Sequence, residues 1–244
     1  MAITAFGINE GWAGVRTTKN LPLKFPDVNG IADKRAMFHT SGQSLELSAD
    51  PAPSFTQGYA ITKFKNITCT GAPGGNPAFA DTDFPLIRLA EMYLIYAEAA
   101  IGNNSSTTDA TALAYFNKVH QRAGLPAWIV TGTNANGPLT LDAVLNERFK
   151  EYAMEGSTWY DIVSLHYWKP AKALDILNTQ DRGLFFAKPD NTSNPANATE
   201  WTFTKTSWYS PRFVTATEGN FVMPIPAIEL SQAPNLNGPI IDYP

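Results

Sequence analysis

The sequence predicts a mainly α-helical chain with long ordered loops and little β structure, and three observations carry that reading. Phe84 to Ala100 reads FPLIRLAEMYLIYAEAA, apolar almost all the way round a helix and broken only by Arg88, Glu91 and Glu98. That is the pattern of a helix buried on most sides. Two more helical patterns follow it, Ala112 to Pro126 and Thr140 to Val163. The 18 prolines and 17 glycines fall largely between these blocks, where they break helices and build loops.

Residues 1–80 are rich in breakers: Pro22, Pro26, Pro51, Pro53, Pro73 and Pro77 interrupt every helical pattern. Two short alternating runs, Arg35 to His39 and Tyr59 to Ile67, read as strands. The first helix is expected to begin near Pro85, a favourable first-turn residue. The stretch Gly102 to Asp109 then supplies a breaker and a capping cluster, with Thr108 or Asp109 as N-cap of the second helix. That helix places Leu113, Phe116, His120 and Ala123 on one face and stops at Gly124-Leu125-Pro126. So short a polar connection predicts an antiparallel helical hairpin.

The third helix carries Leu141, Val144, Leu145, Phe149 and Tyr152 on one stripe and Glu147, Arg148, Lys150 and Glu151 on the other. Gly156 is expected to end it, and Ser157 to cap the next helix. Residues 178–220 show no helical period. Their aromatic residues, Phe185, Phe186, Trp201, Phe203, Trp208 and Tyr209 among them, argue against plain disorder.

Composition removes several function classes. Net charge is −4 and the basic residues are scattered, so there is no stripe for a nucleic acid. The single Cys69 excludes an internal disulfide and any multi-cysteine metal site. No run of 18 uncharged apolar residues predicts a membrane span. The opening MAITAFGINEGW lacks the basic and apolar regions of an export signal.

Catalytic patterns are equally thin. Glu147, Glu151 and Glu155 repeat every four residues beside Arg148 and Lys150, which reads as ion pairing on a solvated or interhelical face. An acid/base pair would need two carboxyls facing each other across a cleft. His39, His120 and His166 have no metal-ligand spacing, and His120 lies on an apolar stripe, as a packed histidine does. Asp27, Asn29 and Asp33 only faintly suggest a calcium loop, because the spacing and the closing Glu are wrong. There is no nucleophile elbow around any serine. Loop aromatics are the better candidates, because sugar C–H faces stack on Trp and Tyr while polar side chains meet the hydroxyls. Trp12, Trp201, Trp208 and Tyr209 are placed in this class, with Arg16 four residues beyond Trp12.

The three helical blocks and the closing segment FVMPIPAIELSQAPNL (Phe221 to Leu236), in this order, strongly resemble the C-terminal half of the SusD/RagB family. Residues 84–168 and 220–237 resemble it closely and residues 10–60 loosely. The resemblance implies a SusD-like fold in which the hairpin completes a tetratricopeptide-type array. Residues 1–83 would be a loop-rich part of that domain with short strands, and residues 84–244 its C-terminal helical region. It implies non-catalytic capture of glycans (oligosaccharides) at the bacterial cell surface, for delivery to a SusC-like TonB-dependent transporter of the outer membrane. The alternative is a peptide- or protein-binding scaffold of the RagB type, and a glycan-processing enzyme ranks below both.

No cofactor and no nucleic-acid partner are implied. Attachment would be through a lipid anchor that this chain does not contain, so the chain reads as an excised C-terminal piece with an added start Met. In such a piece the hairpin should leave an apolar face exposed. The Trp12–Arg16 segment resembles one that reaches the ligand face in many members, whereas Trp159 and Trp168 match a structural, core region. Where the family commonly reads Glu-Gly-His-Arg-Trp-Phe-Asp-Leu, this chain has Glu155 to Ile162 with Ser157 and Thr158 in place of the His and Arg. Any ion pair those two make is therefore absent or rebuilt. The tail also departs from the usual Asn-Pro-Gly-Tyr, running Asn237-Gly238-Pro239.

Overall fold

The structure, a computed structural model, describes residues 6–9, 17–18, 20–25, 31–39, 54, 56–58, 60–78, 80, 82–183, 185–189, 201–205 and 209–238. It is mainly helical, as the sequence predicts. The chain falls into two compact units: Met1–Trp159 with Gln180–Phe213, and Tyr160–Thr179 with Val214–Pro244.

In the first unit, three helices pack on one another: α1 (Leu89–Ile101), α2 (Ala110–Arg122) and α3 (Leu141–Glu151). α1 and α2 run antiparallel. Tyr96 meets Tyr115 edge-on, while Tyr93, one turn earlier, takes Lys118 over its ring one turn later. The stripe Ala90, Leu94, Ala97 and Ile101 of α1 faces Ala112, Phe116 and Val119 of α2 and Leu141, Val144 and Leu145 of α3, all buried. Asp109 caps α2 by accepting from the Ala112 amide at 2.7 Å, and Thr140 caps α3 by accepting from Ala143 at 3.2 Å.

The strands are short antiparallel pairs. β1 (Phe38–His39) pairs with β2 (Ala60–Ile61), inside the two runs expected to be strands. β3 (Ser106–Thr107) pairs with β4 (Leu139–Thr140), tying the hairpin connection to the start of α3. β5 (Phe185–Pro189) and β6 (Trp201–Lys205) form a hairpin in the stretch that showed no helical period, with Phe185 opposite Lys205 and Pro189 opposite Trp201. The alternation Trp-Thr-Phe-Thr-Lys of β6 was its signal in the sequence.

Several expectations need correction. α1 starts at Leu89, not near Pro85. Arg88 stays extended (φ −129°, ψ 149°) and uses its guanidinium for carboxylates on the α3 side instead of joining the helix. α1 is also not buried on most sides. Leu89, Met92, Ile95 and Tyr96 are exposed, whereas among the described residues the Ala90–Ile101 stripe is the buried face. α3 ends at Glu151, five residues before Gly156: Met154 takes a left-handed φ of 66°, which a helix cannot contain, and Gly156 (φ 78°) completes the reversal. Ser157 does not cap the following helix, α4 (Thr158–Trp168), because its buried hydroxyl has no hydrogen-bond partner among the described residues.

In the second unit, α4 continues from Tyr160 and is followed by α5 (Pro170–Asn178), which has Pro170 at its first position. Asn178 holds the returning chain by two hydrogen bonds with the Ala216 backbone, at 2.6 and 3.1 Å. His166 stacks on Phe221 (3.8 Å between ring centroids) and pairs with Glu218. A final short helix, α6 (Ala227–Gln232), precedes a 3-10 turn at Pro234–Asn237. Trp168 is half-buried. Trp159, expected in the core, is exposed: it sits in the first turn of α4, roughly 90° round the helix from the buried Ile162–Leu165 line.

Candidate functional site

The charged face of α3 points inward. Glu147 and Glu151 are one turn apart and buried, at 2% and 4% exposure, and Glu155 joins them from the turn beyond the helix. Their counter-ions come from four separate segments. Arg35, just before β1, makes a fork to Asp33 (2.7 and 2.9 Å) and reaches Glu147 at 2.8 Å. Arg88, entering α1, gives Glu151 a 2.7 Å bond and Glu155 two more at 2.8 and 2.9 Å. Lys63, after β2, pairs with Glu155 and donates to the Glu151 carbonyl at 2.6 Å. Arg122, in the last turn of α2, donates to Glu151.

His120 Nδ1 lies 3.0 Å from Glu147, with the ring stacked on Phe116, so it is the packed and satisfied histidine the sequence suggests. Arg88 also lies over the Tyr152 ring, 4.6 Å from its centroid. The interhelical form of the ion-pairing expectation therefore holds, and the solvated form does not.

Electrostatics follow from this packing. Burial alone would raise the Glu147 carboxyl. The hydrogen bond with His120 and the charges of Arg35 and Lys150 outweigh it and hold the group at about 2. Burial likewise works against ionised Glu151 and Asp33, but the bonds from Arg122 and Arg88, and from Arg35, keep both below their ordinary values. These carboxylates stay ionised at neutral pH. None holds a proton to donate, and each is occupied by cations, so the cluster is unsuited to general acid/base chemistry on a glycosidic bond.

A cavity of about 160 Å³ lies against this network. Arg35, Lys63, Arg88, Arg122, Lys150 and Glu151 form its charged wall, and Phe25, Phe38 and Ile61 line its apolar side. Arg122 is 59% exposed, so the wall reaches solvent there.

The sequence-predicted binding residues stand apart from this cluster. Trp12, Arg16 and Trp208 lie outside the described residues, and Trp201 is placed by its backbone alone, in β6. Tyr209 is half-buried. Its hydroxyl donates to Asp181, which also accepts from the Gly183 amide at 2.9 Å. Its ring lies so close to Gly183 that a Cβ there would come within 2.5 Å of it. The bond to Asp181 raises the Tyr209 hydroxyl above its ordinary range.

Sequence reasoning did not single out Arg35, Lys63 and Arg88, which lie far along the chain from α3. The one available signal was three carboxylates in register on a helix with an otherwise ordinary apolar stripe. Asp27 and Asn29 of the faint calcium motif lie outside the described residues, and Asp33 is committed to Arg35 and Lys150. Among the described residues no cluster of His, Cys, Asp or Glu is arranged to hold a metal, and no helix is long and apolar enough to cross a membrane.

The profile of the SusD family matches residues 39–238, from β1 to the last described turn. The chain belongs to the SusD family. A SusD-like protein of Bacteroides ovatus is 34% identical over 174 residues, 65% of this chain and 29% of that protein. The starch-binding protein SusD of Bacteroides thetaiotaomicron is 28% identical over 138 residues, 56% of this chain and 23% of its own length. One solved structure superposes with a TM-score of 0.66 at 24% identity, over 94% of this chain and 46% of that one. It shows that this chain path is a known fold. The chain spans less than a third of the curated relatives it matches and under half of that solved structure.

Proposed function

We propose that this chain is part of a non-catalytic, glycan-binding protein of the bacterial outer membrane surface, one that passes oligosaccharide to a SusC-like TonB-dependent transporter. The observation that carries the reading is the similarity to a starch-binding member of the same family. The geometry supports binding over turnover, since the buried carboxylates are held ionised by cations in fixed pairs. In this reading the α1–α2 hairpin is one unit of a tetratricopeptide-type array. Its role is to hold the loops that meet the sugar. Trp12, Trp201, Trp208 and Tyr209 supply stacking surfaces, and Arg16 supplies hydrogen bonds to hydroxyls.

The test is native affinity electrophoresis of the chain and of Trp12→Ala through gels containing a panel of polysaccharides. Retardation by one glycan, lost in the variant and without release of reducing ends, is the expected result. Release of reducing ends would replace the reading with an enzymatic one. Failure of every glycan to retard the chain, with retention of a peptide ligand, would replace it with peptide capture.

A further inference from the structure

We propose that the cavity beside α3 is a binding site for an oxyanion, a carboxylate- or sulfate-type group. This goes beyond glycan stacking on loop aromatics and does not depend on it. Three observations on the cavity wall carry it.

The first is the charge balance. Among the described residues the cluster contains five cations (Arg35, Lys63, Arg88, Arg122, Lys150) and four carboxylates (Asp33, Glu147, Glu151, Glu155), so 5 − 4 leaves one positive charge over. All five cations line the cavity, whereas Glu151 is the one carboxylate of the four that does.

The second is spare hydrogen-bonding capacity. Arg122 gives one N–H to Glu151 and carries four more, on a side chain that reaches solvent. Lys150 sits 3.2 Å from Asp33 and 3.5 Å from Glu147, long for charge-assisted contacts, and its ammonium has a third hydrogen to give. An oxyanion between Arg122 and Lys150 would take planar donors on one side and a point charge on the other.

The third is size. About 160 Å³ is roughly ten times the space one water needs. It accommodates a single charged substituent with its hydration, and no extended chain. The apolar side formed by Phe25 and Ile61 lowers the local dielectric and strengthens each charge–charge contact. Burial lowers Lys63, which lines the cavity, and the carboxylates Glu155 and Glu151 only partly oppose it.

The same chemistry has two sources, a free inorganic oxyanion or the charged group of an acidic saccharide. Titration calorimetry with sodium sulfate, against sodium chloride at equal ionic strength, tests the site itself. Sulfate is expected to give saturable binding that Arg122→Gln weakens roughly tenfold or more. Arg122→Lys should restore part of it, and Lys118→Gln, at an exposed lysine outside the cavity, should leave it unchanged.

Location is checked without any substitution: sulfate should slow acetylation of Lys63 and Lys150, mapped by peptide mass spectrometry, but not of Lys118. Absence of saturable sulfate binding overturns the proposal, as does equal binding by Arg122→Gln or sulfate protection that fails to single out Lys63 and Lys150. Competition then separates the sources. Displacement of sulfate by sulfated or uronate-bearing oligosaccharides, and not by neutral ones, assigns the site to an acidic sugar. Sulfate binding that no oligosaccharide disturbs assigns it to a free ion. Both outcomes leave the polysaccharide-gel test of the aromatic loops to stand or fall separately.

Discussion

The inward face of α3 and the outward face of α1 invert the usual rule of burial. On α3 and the turn after it, Glu147, Arg148, Glu151 and Glu155 are buried. On α1 and the segment leading into it, Leu86, Ile87 and Leu89 are 86%, 76% and 65% exposed. The difference shows that polarity by itself does not decide what is inside. A charge can be buried when each oxygen meets a cation at hydrogen-bond distance, which offsets much of its desolvation. An apolar side chain stays outside when nothing is packed over it. The charged cluster makes the molecule specific about which segments meet, since Arg35, Lys63, Arg88 and Arg122 must all arrive at α3 together. The apolar face makes no such demand.

The comparison breaks most severely at Glu151, which meets Arg88 and Arg122 directly and lies 3.4 Å from Arg35. Glu151→Ala takes one carboxylate from each of the half-buried Arg35 and Arg88, and its one carboxylate among the described residues from Arg122, which reaches solvent. The expected loss is about 3–5 kcal/mol of unfolding free energy in urea titration. A loss under 1 kcal/mol would mean the cations find other partners or water, and the cluster is not what orders these segments.

Acid should undo the cluster without any substitution. Glu147 has a folded-state value of about 2 against an ordinary 4.5, and Glu151 and Asp33 are lowered as well. A depressed carboxylate contributes stability that is complete above its unfolded value and is lost as pH falls through the folded one. The urea midpoint should therefore hold steady above about pH 5 and fall steeply between about 4.5 and 2. Glu147→Gln should lower stability at pH 7 and flatten that acid slope. An unchanged slope in the variant would show that Glu147 does not carry the linkage.

How far the sequence could be read follows the same division. The α2 boundaries, the Asp109 cap and the packed His120 were legible, because caps and helical stripes are local patterns written within a few residues. The start of α1 was not, since Arg88 leaves the helix to reach carboxylates 63 and 67 positions away. The end of α3 was not, because a left-handed φ at Met154, a non-glycine residue, has no local sequence signal. The candidate site was legible only in outline: three carboxylates in register announced ion pairing, but neither their burial nor their partners could be read locally. The β5–β6 hairpin was readable in principle from its alternation and was obscured by the irregular residues around it.

A local interaction gives the middle of the scale. Asp109→Ala removes the 2.7 Å cap on the Ala112 amide and should cost about 1 kcal/mol, visible in the same urea titration at pH 7. That is several times less than the Glu151 change, although both remove one carboxylate. The contrast isolates burial: Asp109 is exposed at a helix end and its loss frees one amide to water, whereas the loss of Glu151 takes a partner from half-buried charge.

The smallest effect on stability should come from the apolar face. Leu86→Glu with Leu89→Glu replaces two of the most exposed apolar side chains, and the unfolding free energy should move by no more than about 0.5 kcal/mol. Association should respond instead. A contiguous exposed apolar surface favours contact with a second copy, so the chain should self-associate at micromolar concentration in sedimentation velocity and the double variant should sediment as a monomer. If the variant is instead destabilised by several kcal/mol while the parent is monomeric, these leucines are packed within one chain, and the inversion between the two faces is confined to the charges of α3. If stability is unchanged and association is lost, two opposite roles are separated on neighbouring helices. The buried charges then fix how one chain folds, and the exposed leucines govern what that chain meets.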